Sequence, residues 1–481
     1  MTRFLPWTVV HLSIRDPFPD LIAEPGVGGL FLVFWYDRIP LGQLLIPAPL
    51  LPMPSAQLSA EVPLVIAPAV GHRLLRTGFD PALQVPSGTG VRLDPSDVKR
   101  LFDLEQPLER LARLADPEAS SRRAPSISLV ICTRNRPDRL ERCLSSLRAL
   151  SPAPQEILVV DNDPASGLTQ PVAERFPEVR YVPEPRHGLS AARNAGVRQS
   201  RGAILAFTDD DVIVDPGWIG AIAAGFDDQD DDQDDDHAVI AVTGLVLPAA
   251  LETRAQFIFQ VGEPVFGWEY RAITFDRAFF DSTKRVGARV WRLGAGANMA
   301  FRRDAFERVG LFDERLGAGA AGCSEDSELW YRLLAEGYRC RYVPAAVVFH
   351  YHRADWKALR DQTYSYMRGH VAALFVQFER YRHWGNLYRA FVALPWYLVT
   401  VARSTLERRA ARLIFHRPDE EWLAPPLAPQ MLGVLAGYGY YVRHWRRRAD
   451  APKPAVPSTT PAWTPNDDDD TQEAAVHVPE P

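Results

Sequence analysis

Short apolar runs alternate with helix-spaced segments between residues 125 and 355. Four runs have the length of strands, namely SISLVIC, EILVV, VRYVP and AILAF. RPDRLERCLSSLRAL lies between the first two and places Leu140, Leu144 and Leu147 on one helical face. A second helix is predicted over SAARNAGVRQS, ending near Gly202. This alternation predicts an α/β fold, with a mostly parallel sheet flanked by helices on both faces.

The pattern changes on both sides of this region. GLFLVFWYDRIPLGQLLIP predicts two strands joined by a turn at Asp37 and Arg38, so the N-terminal part is expected to be rich in strands. A charged stretch links it to the centre, aromatic and basic helical segments follow the centre, and the last residues are rich in Pro, Thr and Asp. The predicted division is an N-terminal β-rich module at 1–95, a helical linker at 96–124, an α/β domain at 125–355, a helical region at 356–449 and a disordered tail at 450–481.

Polar side chains collect where the predicted strands end. Thr133 and Arg134 follow the first strand, Asp161 ends the second, and Asp209–Asp211 end the fourth. Ligands of such sheets bind at the carboxyl ends of the strands. Three adjacent carboxylates raise each other's pKa, so either water screens them or a cation holds them together. Mg²⁺ and Mn²⁺ prefer oxygen ligands, and Mg²⁺ is usually held by one or two carboxylates together with substrate phosphates.

Four motifs in order resemble a known family over about residues 126–370. SLVICTRNRPDRLERCLSSL, ILVVDND and RHGLSAARNAGVRQSRGAILAFTDDDVIV resemble the nucleotide-sugar-binding half of family 2 glycosyltransferases with the GT-A fold. LGAGANMAFRRDAFERVGLFDERLGAG and GCSEDSELWYRLLAEGYRCRYVPAAVVFHYH resemble the acceptor half. The resemblance implies an inverting, metal-dependent glycosyltransferase, which uses a nucleotide-sugar donor and a glycan or lipid-linked acceptor with a hydroxyl group, as in polysaccharide or glycolipid synthesis.

The resemblance also implies roles for single residues. Asp211 is expected to bind Mg²⁺ or Mn²⁺ together with His350, so that the ion bridges the diphosphate. Asp161 is expected to accept a hydrogen bond from a pyrimidine ring, and Asp209 to lie near the ribose. The predicted nucleotide-sugar-binding residues are Thr133, Arg134, Asp161, Arg193, Asp209, Asp210, Gly296 and Asn298.

A general base is expected in the segment SEDSELWYRLL. The resemblance assigns this role to Asp326, which would accept the proton of the acceptor hydroxyl. The alternative is that Ser324 or Asp326 only caps the helix. Glu328 and Arg332 are spaced as an i,i+4 pair and are predicted to form an ion pair on the helix surface.

Two other functions remain as hypotheses. A nucleotidyltransferase is built on a similar sheet, but it is expected to have a glycine-rich loop after the first strand, and CTRNRPDR contains no glycine. A catalytically silent carbohydrate-binding scaffold would not need acids at both Asp211 and Asp326.

Charge and cysteine content restrict the partners and the compartment. The formal net charge is −6, but eight aspartates lie between Asp227 and Asp236 and four more between Asp467 and Asp470, so the remainder is basic. This suits an anionic small molecule or membrane surface, and no nucleic-acid partner is predicted. The acidic run at 227–236 is predicted to be a solvated loop. The four cysteines form no CxxC pair, which favours a reducing, cytoplasmic location, and no signal peptide is recognised.

The C-terminal helices allow two interpretations. The longest uncharged stretch, Ala390 to Ala402, is shorter than the ~20 residues that span a bilayer. The helices either bind peripherally at the inner face of the membrane, with Trp and Tyr at the interface, or pack against the α/β domain.

Overall fold

A computed structural model describes residues 4–75, 107–109, 125–227, 238–262, 270–415 and 426–448. Most of the predicted linker, nearly all of the acidic run and the predicted tail lie outside the described residues. The N-terminal part contains strands β1 (Trp7–Ser13), β2 (Gly29–Tyr36) and β3 (Ile39–Pro47), followed by helix α1 (Ser55–Leu75). The predicted hairpin is confirmed, because β2 and β3 pair antiparallel around Asp37 and Arg38.

A nine-stranded sheet forms the centre of the molecule. Its strands are β4 (Ile127–Thr133), β5 (Glu156–Asp161), β6 (Val179–Pro183), β7 (Ile204–Asp209), β8 (Val212–Val214), β9 (Val239–Pro248), β10 (Ile273–Phe275), β11 (Asn298–Arg302) and β12 (Arg339–His350). The spatial order is β10-β12-β9-β11-β7-β4-β5-β6, and β8 pairs with β12. Strands β7, β4, β5 and β6 are parallel, whereas β11 runs antiparallel to both of its neighbours. The predicted α/β class is confirmed, and the parallel arrangement applies to the half nearest the predicted donor site.

Helices cover both faces of this sheet, and β4 is therefore buried on both sides. Leu129 and Ile131 pack with Leu140 on one face, while Val130 packs with Ala192 on the other. The helices are α2 (Pro137–Leu147), α3 (Gln170–Ala173), α4 (Leu189–Gln199), α5 (Trp218–Gly225), α6 (Arg254–Gly262), α7 (Arg277–Thr283), α8 (Asp304–Val309) and α9 (Glu325–Ala335). The strands and helices predicted before Asp211 therefore lie where the hydrophobic pattern placed them.

The N-terminal sheet packs against the central region through one shared hydrophobic core. The Trp7 amide donates to the carbonyl of Leu251 at 2.9 Å, and the Trp7 ring lies 4.6 Å from that of Phe257. His11 contacts Phe349 in β12 edge to face, with centroids 5.4 Å apart. The N-terminal strands thus support the strand that ends at His350.

The C-terminal helices follow β12 directly. They are α10 (Trp356–Tyr381), α11 (Trp384–Tyr388), α12 (Leu394–Phe415) and α13 (Leu427–Arg448), with a π-helical turn at Arg389–Ala393. Partly buried ion pairs fix α10 to the central domain: Arg380 lies 3.0 Å from Asp313, and Arg315 lies 2.6 Å from Glu379. Among the described residues, none of the helices is both long and apolar enough to cross a bilayer.

Candidate active site

The three consecutive aspartates lie in three different environments. Asp209 ends β7 beside Cys132 of β4, and its side chain is 31% exposed. The side chains of Asp210 and Asp211 are each only 3% exposed. Strand register also places Asp161 next to Thr133, so the predicted strand-end residues do meet at one edge of the sheet.

Asp210 connects the ends of two strands. Its carboxylate accepts hydrogen bonds from the Thr133 hydroxyl at 2.7 Å and from Arg136 at 3.0 Å. Burial raises the pKa of Asp210, and Arg136 opposes that effect. Thr133 and Asp210 were both predicted to contact the donor, but here they bind each other away from solvent.

Asp211 is surrounded by positive charge. Its Oδ2 atom lies 2.9 Å from Arg139 and 3.5 Å from both Arg136 and Arg353, and its Oδ1 lies 3.2 Å from His350 Nε2. Burial alone would raise the pKa of Asp211, but His350 and the arginines outweigh it and hold the pKa well below its ordinary value. These arginines are 26–39% exposed, so they extend from the buried carboxylate towards solvent.

The predicted metal ligands come together in part. The structure brings Asp211 into contact with His350, but the described residues contain no cluster of three or more His, Cys, Asp and Glu side chains arranged for an ion. An ion that completes its coordination with diphosphate oxygens needs only one or two protein ligands. Asp211 and His350 are the two side chains that would hold such an ion, and the arginines at Asp211 would compete with it for the carboxylate.

Arg193 joins the donor half of the domain to the acceptor half. Its guanidinium lies 3.3 Å from Asp209 and 2.5 Å from Glu325 in α9, and it donates to the carbonyl of Gly296 at 3.1 Å. Arg193 is only 2% exposed, so its charge is neutralised by protein groups. A Cβ atom at position 296 would lie 2.8 Å from Arg193 and 3.1 Å from Asp326, which explains the glycine there.

Asp326 lies beside this bridge at the start of α9. Its Oδ1 accepts a hydrogen bond from the Ser327 amide at 2.6 Å, and the side chain is partly open to solvent. Burial raises the pKa of Asp326, while Arg193 lowers it. Ser324 occupies the N-cap position with φ of 72° and makes no capping hydrogen bond through its side chain. The alternative that Ser324 caps the helix is therefore wrong.

Glu325 is the neighbouring acid in SEDSELWYRLL, which sequence reasoning passed over in favour of Asp326. It is buried, its Oε1 binds Arg193, and its Oε2 has no hydrogen-bond partner. Burial raises the pKa of Glu325 to about 7, against the opposing effect of Arg193. Glu325 thus holds Arg193 in place, while its neighbour Asp326 is partly exposed.

Other predicted donor residues differ in how accessible they are. Asp161 is fully buried and accepts from the Tyr181 hydroxyl at 2.8 Å and from the Asp163 amide at 3.0 Å. Arg134 is half exposed and lies 3.7 Å from Asp163. The amide group of Asn298 binds two main-chain carbonyls and the Trp218 indole, so Asn298 orders the strands and does not line an opening.

Sequence reasoning missed the arginines around Asp211. Arg136 and Arg139 are three residues apart at the start of α2, directly after β4. That spacing puts both on one face of the helix, towards the strand ends. The same pattern was available in CTRNRPDR, but of its three arginines only Arg134 was assigned to the site.

The prediction of a surface pair between Glu328 and Arg332 is wrong. Their side chains are 0% and 1% exposed and lie 2.8 Å apart. Arg332 also donates to the carbonyls of Val309, Gly310 and Leu311. Glu328 contacts Arg380 at 3.3 Å, an ionic contact without hydrogen-bond geometry. The i,i+4 spacing was right, but α10 and the loop before α9 cover the pair.

His350 and His352 lie on the same side of the chain, with their Nδ1 atoms 2.9 Å apart. His352 is buried, and its Nε2 lies 2.8 Å from Gln260. Burial lowers the pKa of His352 well below its ordinary value, followed by the effect of His350. His352 therefore orients His350 towards Asp211 rather than binding a ligand itself.

Comparison with known proteins identifies the family of the domain that contains these strand ends. Residues 128–310 match the sequence profile of glycosyl transferase family 2. They form a family 2 glycosyltransferase domain. The family 2 domain contains the strand ends, Arg193 and Gly296, while Asp326 and His350 follow it in the chain.

Curated relatives share about half of this chain. A pre-mycofactocin glycosyltransferase of Mycobacterium tuberculosis is 30% identical over 261 residues, covering 52% of this chain and 49% of the relative. The validoxylamine A glucosyltransferase of Streptomyces hygroscopicus subsp. limoneus is 27% identical, covering 47% and 51%. A mannosyltransferase from Pyrobaculum calidifontis, solved with GDP-Man and Mn²⁺, is 18% identical with a TM-score of 0.42, covering 69% of this chain and 93% of that one. The chain thus spans about half the length of these curated relatives.

Proposed function

We propose that this protein is an inverting glycosyltransferase that moves a sugar from a nucleoside diphosphate sugar to a hydroxyl acceptor with the help of Mg²⁺ or Mn²⁺. The observation that carries the proposal is the bridge through Arg193, which links the partly exposed Asp209 at the donor edge to Glu325, next to Asp326. The family match of residues 128–310 supports the same activity.

Asp326 is the base in this reaction. Its carboxylate accepts the proton of the acceptor hydroxyl while that oxygen bonds to the anomeric carbon. The bond from the same carbon to the diphosphate breaks on the opposite side, and the anomeric configuration inverts. Because burial raises the pKa of Asp326, its carboxylate is a stronger proton acceptor than an exposed aspartate.

Positive charge around Asp211 stabilises the departing diphosphate. Arg136, Arg139 and Arg353 converge on the adjacent carboxylates of Asp210 and Asp211, so three positive charges face two negative ones. Preorganised cations of this kind stabilise charge that develops in the transition state. A divalent ion held by Asp211 and His350 would add Lewis-acid stabilisation of the leaving group.

Donor binding tests the proposed function directly. The full chain is incubated with a panel of nucleotide sugars and Mn²⁺ or Mg²⁺, and binding is measured by calorimetry. We expect at least one donor to bind in the presence of the ion, and we expect Asp211→Asn to abolish the part of the affinity that depends on the ion. Failure of every donor to bind would overturn the proposal. Released nucleoside diphosphate, rather than pyrophosphate, separates this activity from that of a nucleotidyltransferase.

The arginine cluster leads to a prediction about donor affinity. Arg139→Met is expected to weaken binding of nucleoside diphosphate by about ten- to a hundredfold, because a charge-assisted hydrogen bond contributes about 1.5–3 kcal/mol. Arg142→Met is the matched control, since Arg142 lies on the same helix but stacks on the Tyr351 ring. Equal affinities of the two variants would exclude Arg139 from the donor site.

The position of Arg193 beside Asp326 leads to a prediction about the pH dependence of kcat/KM. Arg193 lowers the pKa of Asp326, so Arg193→Met is expected to move the acid limb of kcat/KM to higher pH, where Asp326 becomes deprotonated. Glu325 cannot compensate for the lost cation, because a neighbouring carboxyl group is either neutral or negative, and a negative neighbour raises the pKa of Asp326 further. Arg193→Lys should return the limb towards that of the wild type. A loss of rate that is equal at all pH values would contradict this positioning role.

The proposed acceptor is a glycan or a lipid-linked glycan. The four cysteines are free thiols, which suits the reducing side of the membrane, and we include that cytoplasmic location in the proposal.

A further inference from the structure

Large apolar side chains are concentrated on the solvent side of the C-terminal helices. The C-terminal apolar face is defined here by Trp384, Phe391, Trp396 and Leu406 on the segment α11–α12, and by Leu432 and Leu435 on α13. These side chains are 58–74% exposed. Adjacent exposed apolar side chains of this size on a protein surface indicate an interaction site.

The segment α11–α12 exposes large apolar side chains along its length. Trp384, Phe391 and Trp396, which span the π-helical turn, are each more than half exposed. The opposite side of this segment is also apolar, because Ala390 and Leu394 are buried against α10. Each helix is therefore apolar both towards the protein and towards solvent, a pattern that requires a partner on the outer side.

The two helices join into one surface. The Phe391 ring stacks on Tyr438 of α13 with centroids 5.4 Å apart and an angle of 9°. The Tyr438 hydroxyl donates to the carbonyl of Ala390. Phe391 also lies 5.7 Å from Phe375 of α10, so the segment α11–α12 and α13 are in contact where both pack on α10.

The charges in the same helices identify the partner. α12 contains four arginines and one acid, Glu407, and α13 contains four arginines and no acid. Three of the four arginines of α12 and all four of α13 follow the exposed apolar residues in the chain. Tryptophan and tyrosine next to arginine match the interface between acyl chains and anionic headgroups. A symmetric contact between two copies of the chain would instead bring like surfaces, and so like charges, together.

We propose that the C-terminal apolar face docks onto an anionic lipid bilayer, with α12 and α13 lying in the plane of the interface. Trp384, Trp396 and Leu435 enter the acyl region, and the arginines bind lipid phosphates. The consequence for catalysis rests on the proposed function. The helices of this face pack on α10, and α10 also packs on α9, the helix of Asp326. Docking would hold the acceptor side close to the membrane, where a lipid-linked acceptor is located.

Vesicle flotation of the full chain tests this surface. Vesicles of phosphatidylcholine with 30% phosphatidylglycerol are compared with pure phosphatidylcholine, at low salt and at about 1 M salt, where the Debye length is ~3 Å. We expect binding to anionic vesicles that weakens in high salt. The double variant with Trp396→Ser and Leu435→Ser should have a vesicle partition coefficient at least about tenfold lower. It lacks two large apolar side chains whose transfer from water into the bilayer stabilises binding.

The matched control is Ile22→Ser with Leu50→Ser, two equally exposed apolar residues in the N-terminal part. This control should float like the wild type. No binding of the wild type to anionic vesicles would overturn the proposal, as would equal losses in both double variants. A dimer in sedimentation equilibrium that only Trp396→Ser with Leu435→Ser dissociates, with vesicle binding unchanged, would assign the face to a second copy and overturn the proposal as well. Donor affinity measured on the same samples separates failure of this proposal from failure of the proposed function.

Discussion

Asp326→Asn is expected to lower turnover by about 10²–10⁴-fold while nucleotide-sugar affinity stays almost unchanged, because this range is typical for removal of a general base. The side chain keeps its size, and its amide oxygen can still accept the hydrogen bond from the Ser327 amide. Only the capacity to accept a proton is lost. Turnover is measured as release of nucleoside diphosphate in the presence of acceptor, and affinity by calorimetry.

The control for this experiment is Asp304→Asn. Asp304 is an exposed carboxylate at the start of α8 that pairs with Arg308, so its loss should leave turnover as in the wild type. Glu325→Gln tests the neighbouring acid, which we expect to act through Arg193 and not on the acceptor. If Glu325→Gln abolished turnover and Asp326→Asn did not, the two acids would have to exchange roles.

Arg332→Met is expected to destabilise the protein by about 3–5 kcal/mol, because it removes one partner of a fully buried ion pair. Glu328 would keep only its ionic contact with Arg380, and three main-chain carbonyls would lose their donor. The measurement is the apparent free energy of unfolding in urea. Loss of this pair would also loosen the start of α9, where Asp326 lies.

Arg403→Met is the comparison for this change. Arg403 and Glu407 have the same i,i+4 spacing, but their side chains are 80% and 61% exposed. Removal of an exposed pair of this kind should cost less than about 1 kcal/mol. Similar losses in the two variants would mean that burial does not determine the strength of the Glu328–Arg332 pair.

The central elements were predictable because local patterns specify them. Residues 129–132 are apolar without interruption, which is typical of a strand buried on both faces, and α2 has a clear apolar stripe. The antiparallel strand β11 was not predicted from the pattern. GANMAF is a short apolar run like the others, and the direction of a strand depends on where distant parts of the chain pack.

Burial of charged side chains was the least predictable property of the site. Arg193 and Arg332 appear in the sequence as ordinary helix-surface arginines. Their partners lie in other elements, such as Glu325, which is 132 residues away from Arg193. An i,i+4 spacing gives the geometry of a pair, but the dielectric environment depends on which helix covers it.

The sequence by itself determined that acids and hydroxyls would meet at the ends of parallel strands, because strand ends follow from local hydrophobicity and parallel strands share one edge. It also determined that Asp209, Asp210 and Asp211 would be crowded. Only the tertiary structure decided how that crowding is resolved. Asp209 stays partly exposed, Asp210 binds Thr133, and Asp211 is enclosed by arginines from α2 and from the chain after β12. The physical reason is that a carboxylate's role depends on the charges around it, and most of these charges come from parts of the chain that only folding brings together.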